Sequence, residues 1–503
     1  MSDRIRCPQL LDKVVDAETA AAMIKDGMNI GVSGFTPSGH AKAIPLALTK
    51  RVKESGEKLQ VSLFTGASVG DEMDGDWTRA GIIKRRVPFQ ANSELRKSLN
   101  TADGVYFLDP HIGLSSQLIR YGFYGPIDLA IIEACAITPE GHIIPTTSMG
   151  NSATYVQCAK KVLVEINTSQ PLGLEGMHDI YIPENPPHRS HIPLYHTDDR
   201  IGTPYIPCGP DKIAAIVITD IPDKAEPLAP ISDDAKAMAA NFMDFLGMEI
   251  RAGRLPKELL PLQSGIGSVA NAVLAGIMDS KFSNLEFFSE VIQESAMDLL
   301  EAGKFKFCSG TSITPSPEGI KHFYDNIDFF RKKMVLRPQE ITNHPELIRR
   351  LGVIAMNTAI EADIYGNVNS THIMGTRMMN GIGGSGEFAR NAYFSVFFTT
   401  STAKGGAISS FVPMCSHVDH NEHDVSILVS EYGIADLRNK APRERPLEII
   451  KNCTHPDFQP MLLDYYERAL KENASGSCHT PHILSEALSW HQRFLETGTM
   501  RMK

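Results

Sequence analysis

Short apolar runs alternate with amphipathic helical stretches along the first half of the chain. Asp16 is a favourable helix-capping residue before alanine-rich positions, which predicts a helix over 16–25 that stops at Gly27. A second helical pattern covers 43–52. The apolar runs predict strands at 30–35, 59–65, 104–108, 127–132, 161–166 and 212–218. Strands that alternate with helices predict an α/β fold with mainly parallel sheets.

Residues 221–234 interrupt this pattern with three prolines and mixed charge, which is typical of a linker between domains. A long helical pattern follows at 235–252. We therefore predict two domains, at residues 1–222 and 235–503. The stretch 485–497 predicts an amphipathic helix whose Trp490 serves packing.

Two segments, one from each half, share a pattern. Residues 130–147 and 358–371 each carry Ile-Glu-Ala in an apolar strand, then a glycine turn and a second short strand ending in hydroxyl residues. This echo predicts that the two halves have related folds.

A lone carboxylate, Glu290, follows Phe287 and Phe288 and precedes an amphipathic run at 292–300. This pattern predicts a strand that ends at Glu290 and a helix just after it. Carboxyl ends of strands in α/β sheets are where such sheets bind ligands. The ordinary alternative is a solvated or capping carboxylate. Glu294 lies nearby, and its helical position favours a solvated face.

Two glycine-rich segments, 264–271 and 379–388, can bring backbone N–H groups close to a substrate oxygen. The first is also compatible with a plain turn at the start of a helix. The second contains four glycines between Gly381 and Gly386, which a simple turn does not explain.

The amino-acid composition limits the classes of function and the partners that we expect. The chain has 503 residues, of which 42% are hydrophobic and 21% charged, as in ordinary globular enzymes. A net charge of −10 argues against nucleic acid as a partner. No apolar run approaches the ~20 residues of a membrane span, and the first residues lack a signal core, so we expect a cytoplasmic protein. The eight cysteines form no C-x-x-C pair, which predicts buried, reduced thiols.

A histidine-rich stretch has the residue types of a metal site. It contains His417, Asp419, His420 and His423. On a strand, His417 and Asp419 share one face while His420 points to the other. With no cysteine pair and no H-E-x-x-H motif, we expect a polar strand-to-loop segment near the active cleft and no metal.

The Glu290 segment and the two glycine turns together resemble the acetyl-CoA hydrolase/transferase family of class I CoA-transferases. Within it, the succinyl-CoA:acetate or propionate CoA-transferases are the nearest match, and the resemblance covers almost the whole chain. It implies two similar fused α/β domains with the active site between them. It also implies a homodimer that uses acyl-CoA and small carboxylates as substrates, without a permanently bound cofactor.

The resemblance also implies roles for individual residues. Glu290 is the implied nucleophile, whose carboxylate becomes a glutamyl-CoA thioester, and Asn343 matches an asparagine near it. The implied oxyanion donors are the backbone N–H groups of Ile266 and Gly384. Implied CoA contacts are Gly265, Ile266, Gly267, Ser268, Val269, Ile360, Asn380, Gly384 and Lys404. Lys404 is also compatible with a solvated loop lysine, and Asn343 with a turn before Pro345.

Three functions follow, in decreasing order of support. The first is transfer of CoA between an acyl-CoA and a carboxylate, by ping-pong through the glutamyl thioester. The second is acyl-CoA hydrolysis, in which water resolves the intermediate. The third is a non-catalytic CoA- or nucleotide-binding protein, which the retention of Glu290 and both glycine turns disfavours. One departure from the family pattern is Asn439, where a glycine is usual, so we expect an altered turn after Arg438.

Overall fold

A computed structural model describes residues 3–228 and 230–502 of the chain. By internal contacts the protein divides into two compact units. The first unit holds the described residues of 1–228 together with Glu286–Glu301 and Phe305–Leu351, and the second holds the described residues of 229–285 and of 352–503 together with Ala302–Lys304. The units are defined by contacts and the predicted domains by related folding patterns. The domain boundaries 1–222 and 235–503 therefore stay a prediction.

Helices and short strands alternate along both units. The helices are α1 Ala17–Ala21, α2 Ala43–Ser55, α3 Asp74–Arg79, α4 Ser93–Leu99, α5 Ile112–Arg120, α6 Ser152–Cys158, α7 Asp233–Arg251, α8 Ser268–Asp279, α9 Glu294–Glu301, α10 Pro317–Asp325, α11 Ile327–Phe330, α12 Gln339–Thr342, α13 Pro345–Leu351, α14 Ser385–Asn391, α15 Arg445–Cys453, α16 Gln459–Glu472 and α17 Ser489–Thr497. Two 3₁₀ helices cover Pro8–Lys13 and Leu172–Leu174.

The strands are mostly two to seven residues long. They are β1 Asn29–Val32, β2 Val61–Phe64, β3 Ile83–Val87, β4 Tyr106–Phe107, β5 Leu129–Ala134, β6 Ala136–Ile137, β7 Ile143–Ile144, β8 Lys161–Asn167, β9 Ile213–Thr219, β10 Leu262–Ser264, β11 Leu285–Phe288, β12 Val291–Ile292, β13 Phe305–Gly310, β14 Ser312–Ile313, β15 Met334–Leu336, β16 Ile354–Thr358, β17 Glu361–Asp363, β18 Val368–Asn369, β19 His372–Ile373, β20 Arg377–Met378, β21 Phe394–Phe398, β22 Thr402–Ala403, β23 Ile408–Ser409, β24 Phe411–Val412, β25 Ile427–Ser430 and β26 Gly433–Asp436.

The first unit is built on a seven-stranded sheet in the order β4-β3-β2-β1-β5-β8-β9. Every pairing in it is parallel. The chain runs outward from β1 to β4 and then returns to β5 on the other side of β1. The carboxyl ends of β1 and β5 therefore flank a topological switch point, where sheets of this kind bind ligands.

The second unit has its own strands in the order β10-β16-β21-β25-β26. The first three pairings are parallel and the last, between β25 and β26, is antiparallel. The core beside this sheet is rich in aromatic side chains, including Phe397, Tyr465 and Trp490. The predicted fold class, α/β with mainly parallel sheets and two domains, is confirmed.

Helix ends differ from the predictions where a tighter turn replaces the helical turn at one end of the helix. Asp16 caps α1 as predicted, because its side chain accepts a hydrogen bond from Thr19 N at 2.7 Å. However, α1 ends at Ala21 rather than at 25, and Met23 N donates to Ala20 O in a 3₁₀-type bond. The C-terminal helix begins at Ser489 rather than at 485, after a turn in which Ser489 N bonds Glu486 O.

The sequence echo corresponds to similar local structures. Strand β5 leads into the β6–β7 hairpin, and β16 leads into the β17–β18 hairpin. The glutamates of the two Ile-Glu-Ala motifs, Glu133 and Glu361, are both buried. Thr146 donates to Glu133 at 2.8 Å, and Asn369 donates to Glu361 at 3.0 Å. Each hairpin is thus anchored on a buried carboxylate at its start.

Two further predictions concern connecting segments. The predicted linker 221–234 has no helix or strand in its described residues up to Ser232, and α7 begins at Asp233; residue 229 lies outside the described residues. Asn439 adopts a left-handed backbone with φ of 56°. That is the conformation a glycine would supply, and asparagine tolerates it well among other residues. Asn439 can therefore take the place of a glycine in this turn, and the difference from the family's turn that we expected after Arg438 stays a prediction.

Within residues 3–228 and 230–502, the longest apolar helical stretches fall short of what a bilayer crossing requires.

Candidate active site

Glu290 lies in a break between two strands. Strand β11 ends at Phe288, two residues before the predicted end at Glu290, and β12 starts immediately after Glu290. The reason is a change of partner: Val291 and Ile292 pair with Ser312 and Ile313 in a separate parallel ladder. The chain must turn between the two ladders, and Glu290 occupies that turn.

The backbone of this turn is fixed by hydrogen bonds from the strand beside it. Thr311 N and Ser312 N donate to Glu290 O at 2.7 and 3.1 Å. The approach needs Gly310, because a Cβ there would lie 2.8 Å from Ile292 Cγ1 and 3.2 Å from Glu290 O. A larger residue at 310 would push the Glu290 segment away.

The loop that follows β1 packs against this segment through hydroxyl groups. Ser38 Oγ donates to Ile313 O at 2.9 Å, and Thr36 Oγ1 lies 2.6 Å from Thr314 Oγ1. Both Thr36 and Ser38 are buried. The candidate nucleophile thus lies beside the carboxyl end of β1, at the switch point of the seven-stranded sheet.

An apolar cluster surrounds the residue after Glu290. Val291 packs with Phe35, Ala67 and Ile112, all of which are buried. These side chains follow β1 and β2 or begin α5, so they come together only in the folded unit. Sequence reasoning missed this cluster because the segments are far apart along the chain.

The side chain of Glu290 is half-buried, and among the described residues of its unit it accepts a hydrogen bond from Asn343 only. Asn343 Nδ2 donates to Glu290 Oε1 at 2.9 Å. Burial raises the pKa of Glu290 to about 7, and the hydrogen bond from Asn343 partly opposes this rise. A carboxyl group with a pKa near neutrality is typical of an acid, base or nucleophile in a catalytic site.

Asn343 is held by the short helix α12 that precedes it. It is the C-cap of α12, is fully buried, and is followed by α13, which begins at Pro345. Its side chain contacts Glu290 and Thr342. The structure therefore joins two of the predicted site residues directly, and the alternative of a simple turn residue is not favoured.

Glu294 does not have the solvated face that we predicted. It begins α9 and is half-buried, and its Oε2 accepts a hydrogen bond from Ser316 N at 3.0 Å. Ser316 in turn caps α10 by accepting from Gly319 N. Glu294 therefore has a structural role at the junction of two helices.

The first glycine turn joins β10 to α8 in the second unit. Gly267 precedes α8 with φ of 126°, a conformation that favours glycine. Gly265 N donates to Met356 O at 3.2 Å, so this N–H is already engaged. Ile266 projects outward, with 56% of its surface exposed. The turn therefore presents the start of α8, from Ser268 and Val269 onward, where helix N–H groups lack helical partners.

The second glycine block also leads into a helix of the second unit. Gly381 and Gly383 have φ of 134° and 57°, which explains two of the four glycines. Gly384 is the N-cap of α14 with an ordinary φ of −94°. Ser385 Oγ donates to Ile382 O at 2.7 Å and lies 3.0 Å from the buried His420 Nε2. The block is a rigid turn that ends at a helix N-terminus.

The remaining predicted CoA contacts lie on loops of the second unit. Ile360 lies between β16 and β17, and its N–H donates to Asn369 O at 2.8 Å. Asn380 follows β20 and is half-buried. Lys404 is exposed at the tip of the β22–β23 hairpin, with its Nζ 5.1 Å from the Phe494 ring centre. Their role in CoA binding stays a prediction.

The histidine-rich stretch is a loop rather than the strand-to-loop segment that we predicted. Asp419 accepts hydrogen bonds from Ser370 N and Thr371 Oγ1, and His420 forms a single bridge with Val368. Within residues 3–228 and 230–502, no three His, Cys, Asp or Glu side chains are grouped as metal ligands. Asp419 and His420 instead hold the loop that contacts Ser385.

The sequence is similar to a known family over most of its length. The acetyl-CoA hydrolase/transferase N-terminal domain matches residues 2–218, and the corresponding C-terminal domain matches residues 319–466. The succinyl-CoA:acetate CoA-transferase of Clostridium kluyveri is 55% identical over 498 residues, which cover 99% of this chain and 92% of that protein. The propanoyl-CoA:succinate CoA transferase of Escherichia coli is 44% identical and covers 96% and 98%.

Relatives named for a different activity are also similar to this chain. An acetyl-CoA hydrolase of Schizosaccharomyces pombe is 43% identical over 518 residues, covering 100% of this chain and 99% of that protein. Among solved structures, RipA from Yersinia pestis has a TM-score of 0.71 at 19% identity, covering 92% of this chain and 98% of that chain, and so shares the fold. The chain therefore belongs to the acetyl-CoA hydrolase/transferase family of enzymes.

Proposed function

We propose that the protein is an acyl-CoA:carboxylate CoA-transferase that works through a glutamyl-CoA thioester on Glu290. The observation that carries the proposal is the environment of this carboxylate. It is half-buried beside an apolar cluster, accepts a hydrogen bond from Asn343 Nδ2 at 2.9 Å, and has a pKa near 7.

The reaction needs four exchanges at carbonyl carbons. A Glu290 oxygen attacks the acyl thioester, the carbon–sulfur bond breaks, and CoA leaves as a thiolate while a mixed anhydride forms. The thiolate then attacks the glutamyl carbonyl, and the first carboxylate leaves. A second carboxylate repeats these steps in reverse and departs as the new acyl-CoA. The covalent relay conserves the thioester, so no ATP is needed.

The raised pKa of Glu290 suits a nucleophile. A more basic carboxylate is a better nucleophile, yet with a pKa of about 7 a large fraction is still ionised at neutral pH. Asn343 holds Oε1, which orients Oε2 for attack. The surrounding apolar side chains of Phe35, Ala67 and Val291 limit the water that would otherwise hydrolyse the thioester.

The tetrahedral intermediates require donors for their oxyanions. We assign these to the backbone N–H groups of Ile266 and Gly384, and CoA binding to the turn 265–269 with Ile360, Asn380, Gly384 and Lys404. The rigid turn before α14 supports this assignment, because preorganised donors stabilise developing charge without reorganisation. Loss of one such donor typically lowers the rate by about 10²–10³-fold.

The substrate pair that we propose is succinyl-CoA with acetate, or propionyl-CoA with succinate. Relatives named for these reactions are 55% and 44% identical to this chain. One methylene changes binding by only about 1–3 kcal/mol, so several short carboxylates should serve as acceptors. We also propose a homodimer, which light scattering of the purified protein would test.

Hydrolysis is the second candidate, because relatives named acetyl-CoA hydrolase are 43% identical over the full chain. Hydrolysis of the thioester needs an activated water. His344 is the histidine nearest in sequence to Asn343, but burial lowers its pKa to about 4 and its Nε2 lies 3.2 Å from Arg189, which occupies it. His420 is likewise engaged with Ser385. Hydrolysis by water should therefore be a slow side reaction.

An exchange assay separates the two candidates. Acyl-CoA is incubated with and without acetate, and both new acyl-CoA and free thiol are measured. Transfer predicts ping-pong kinetics, with thiol release far slower than acetyl-CoA formation. If thiol release without acceptor is as fast as transfer with it, the protein is a hydrolase. If neither product forms with any short carboxylate, the catalytic proposal fails.

A further inference from the structure

We propose that Thr342 is a positioning residue, whose hydroxyl fixes the side-chain amide of Asn343 so that its nitrogen, not its oxygen, faces Glu290. The inference rests on the proposed function, because it concerns how the nucleophile is held. Its basis is a chain of three side chains within the first unit, from Thr342 through Asn343 to Glu290.

The two ends of an amide have opposite effects on a carboxylate. The nitrogen donates hydrogen bonds and stabilises the charge, whereas the oxygen only accepts and would repel it. A flip of about 180° exchanges them with almost no change in shape. Something other than packing must therefore decide which end of Asn343 faces Glu290.

The hydroxyl of Thr342 can fix the orientation of this amide. Its Oγ1 lies 2.8 Å from Asn343 Oδ1. An amide oxygen cannot donate, so the threonine hydroxyl must donate to it. With Oδ1 engaged in this way, Nδ2 points to Glu290 Oε1 at 2.9 Å. A flipped amide would lose the bond to the carboxylate.

The threonine has one competing acceptor. Gln339 O lies 3.3 Å from Thr342 Oγ1, the usual partner of a threonine within a helix. The bond to Asn343 is shorter, and a hydroxyl has only one hydrogen to give. If the hydroxyl turned to Gln339 O, it would accept from a flipped Asn343 and expose the amide oxygen to Glu290. The choice between the two acceptors thus sets the environment of the nucleophile.

The helix that carries Thr342 is held by hydrogen bonds to α5 and to the loop before α6. Gln339 N donates to Gly150 O at 3.1 Å, and Gln339 Nε2 donates to Ile112 O at 2.8 Å. Glu340 is buried and accepts from both terminal nitrogens of Arg120 at 2.6 and 2.7 Å. Thr342 is itself fully buried. These contacts keep Oγ1 in place, so removal of the hydroxyl should affect Asn343 more than the fold.

The test compares Thr342→Val, which keeps the shape and removes the hydroxyl, with Thr342→Ser, which keeps the hydroxyl. Thr342→Ala is made alongside, in case valine disturbs folding. Thr49→Val is the matched control, since Thr49 is also buried and its hydroxyl bonds Pro45 O at 3.1 Å inside α2. For each variant, the rate of covalent enzyme–CoA formation is measured from pH 5.5 to 9.

We expect Thr342→Val and Thr342→Ala to slow adduct formation by about tenfold at pH 7, the size of one hydrogen bond to a charged group. Their pH midpoints should move upward by about half a unit, because the carboxylate loses stabilisation. Thr342→Ser and Thr49→Val should match the wild type. In an Asn343→Ala background, Thr342→Val should have no further effect.

Other outcomes separate the two hypotheses. If Glu290→Gln removes the adduct while both hydroxyl deletions keep the wild-type rate and pH midpoint, the role of Thr342 is wrong and the proposed function stands. The role is also wrong if Thr342→Val and Asn343→Ala have additive effects. If Glu290→Gln still forms the adduct, the proposed function itself fails.

Discussion

Glu249 and Glu290 are two glutamates in different units whose surroundings have opposite effects. Glu249 lies in α7 and is only 2% exposed. Its two oxygens accept hydrogen bonds from Arg254, both at 2.7 Å, and from Arg438, at 2.9 and 3.0 Å. These two arginines lower the pKa of Glu249 to about 2. For Glu290, burial raises the pKa to about 7.

The partners account for the difference. Removal from water raises the pKa of any carboxyl group, and only nearby positive charge or several donors can reverse that. Glu249 has two charged guanidinium groups, while the side chain of Glu290 has one neutral amide, that of Asn343. A carboxylate saturated with donors stabilises the fold but is a poor nucleophile. A carboxylate with one donor is less stabilised in its ionised form, and is therefore more reactive.

The largest expected effect of this difference is on turnover. Glu290→Gln should reduce CoA transfer by at least about 10⁴-fold, because it removes the nucleophile. Glu249→Gln should keep transfer within about threefold at 25 °C, since its partners Arg254 and Arg438 are not among the proposed site residues. Exchange assays on both variants check this. Similar losses in the two variants would remove the distinction between reactive and structural glutamates.

The two substitutions should change stability in opposite directions. Glu249→Gln should lower Tm at pH 8 by about 5–10 °C, because it removes a buried carboxylate that pairs with both Arg254 and Arg438. Glu290→Gln should raise Tm by about 3–5 °C, because it removes a half-buried charge that is paired with no cation among residues 3–228 and 230–502. Thermal unfolding followed by circular dichroism measures both. A stabilising Glu249→Gln would contradict the comparison.

The pH dependence of these stability effects follows from the pKa directions. Glu290 titrates near 7 in the folded protein, above its ordinary value of 4.5, so its ionisation destabilises the fold as pH rises from 4.5 to 7. The advantage of Glu290→Gln should therefore shrink by pH 5. Glu249 titrates near 2, so its contribution is complete above 4.5 and is lost as pH falls toward 2.

Activity should follow the ionisation of Glu290. The rate of enzyme–CoA formation should rise with pH and reach half its maximum near pH 7, because only the carboxylate attacks. Asn343→Ala should move this midpoint upward by about one unit, since the amide stabilises the charged form. Rapid-quench measurements over pH 5.5–9 test this. A midpoint near 4.5 in the wild type would mean that burial does not perturb Glu290.

The smallest expected effect concerns two positively charged side chains, Arg438 and Lys404. Arg438 is held by Glu249 and Asp436, whereas Lys404 is exposed at a hairpin tip and contacts the ring of Phe494. Lys404→Ala should raise the KM for acyl-CoA by about fivefold and leave kcat unchanged, as for one exposed charged contact. Lys50→Ala, at an exposed lysine in α2, is the matched control. An unchanged KM would make Lys404 a solvated loop residue.

The sequence predicted regular elements better than the environment of the site. Apolar runs located β5, β8 and β9 within a few residues, since buried parallel strands have continuous hydrophobic patterns. It also identified Glu290 and Asn343 as neighbours, through resemblance to a family. It missed the early end of β11, because the switch from one ladder to another depends on Ser312 and Ile313.

Contacts between segments that are far apart in sequence could not be predicted, for the same reason. Phe35, Ala67 and Ile112 meet Val291 only because the loops after β1 and β2 and the start of α5 converge in the folded unit. Glu294 looked solvated because the backbone N–H that donates to its side chain belongs to Ser316, on a later loop. The chemistry of a site depends on such convergences, whereas local periodicity reports only which side of an element is buried.

The central claim is that Glu290 forms the covalent intermediate, and peptide mapping after incubation with acyl-CoA tests it most directly. Without an acceptor, the intact mass should increase by one CoA, and borohydride should convert the labelled carboxyl to an alcohol at Glu290. The adduct should be absent in Glu290→Gln and present in Glu249→Gln. A label on Glu294, on a cysteine, or on no residue during active turnover would contradict the account.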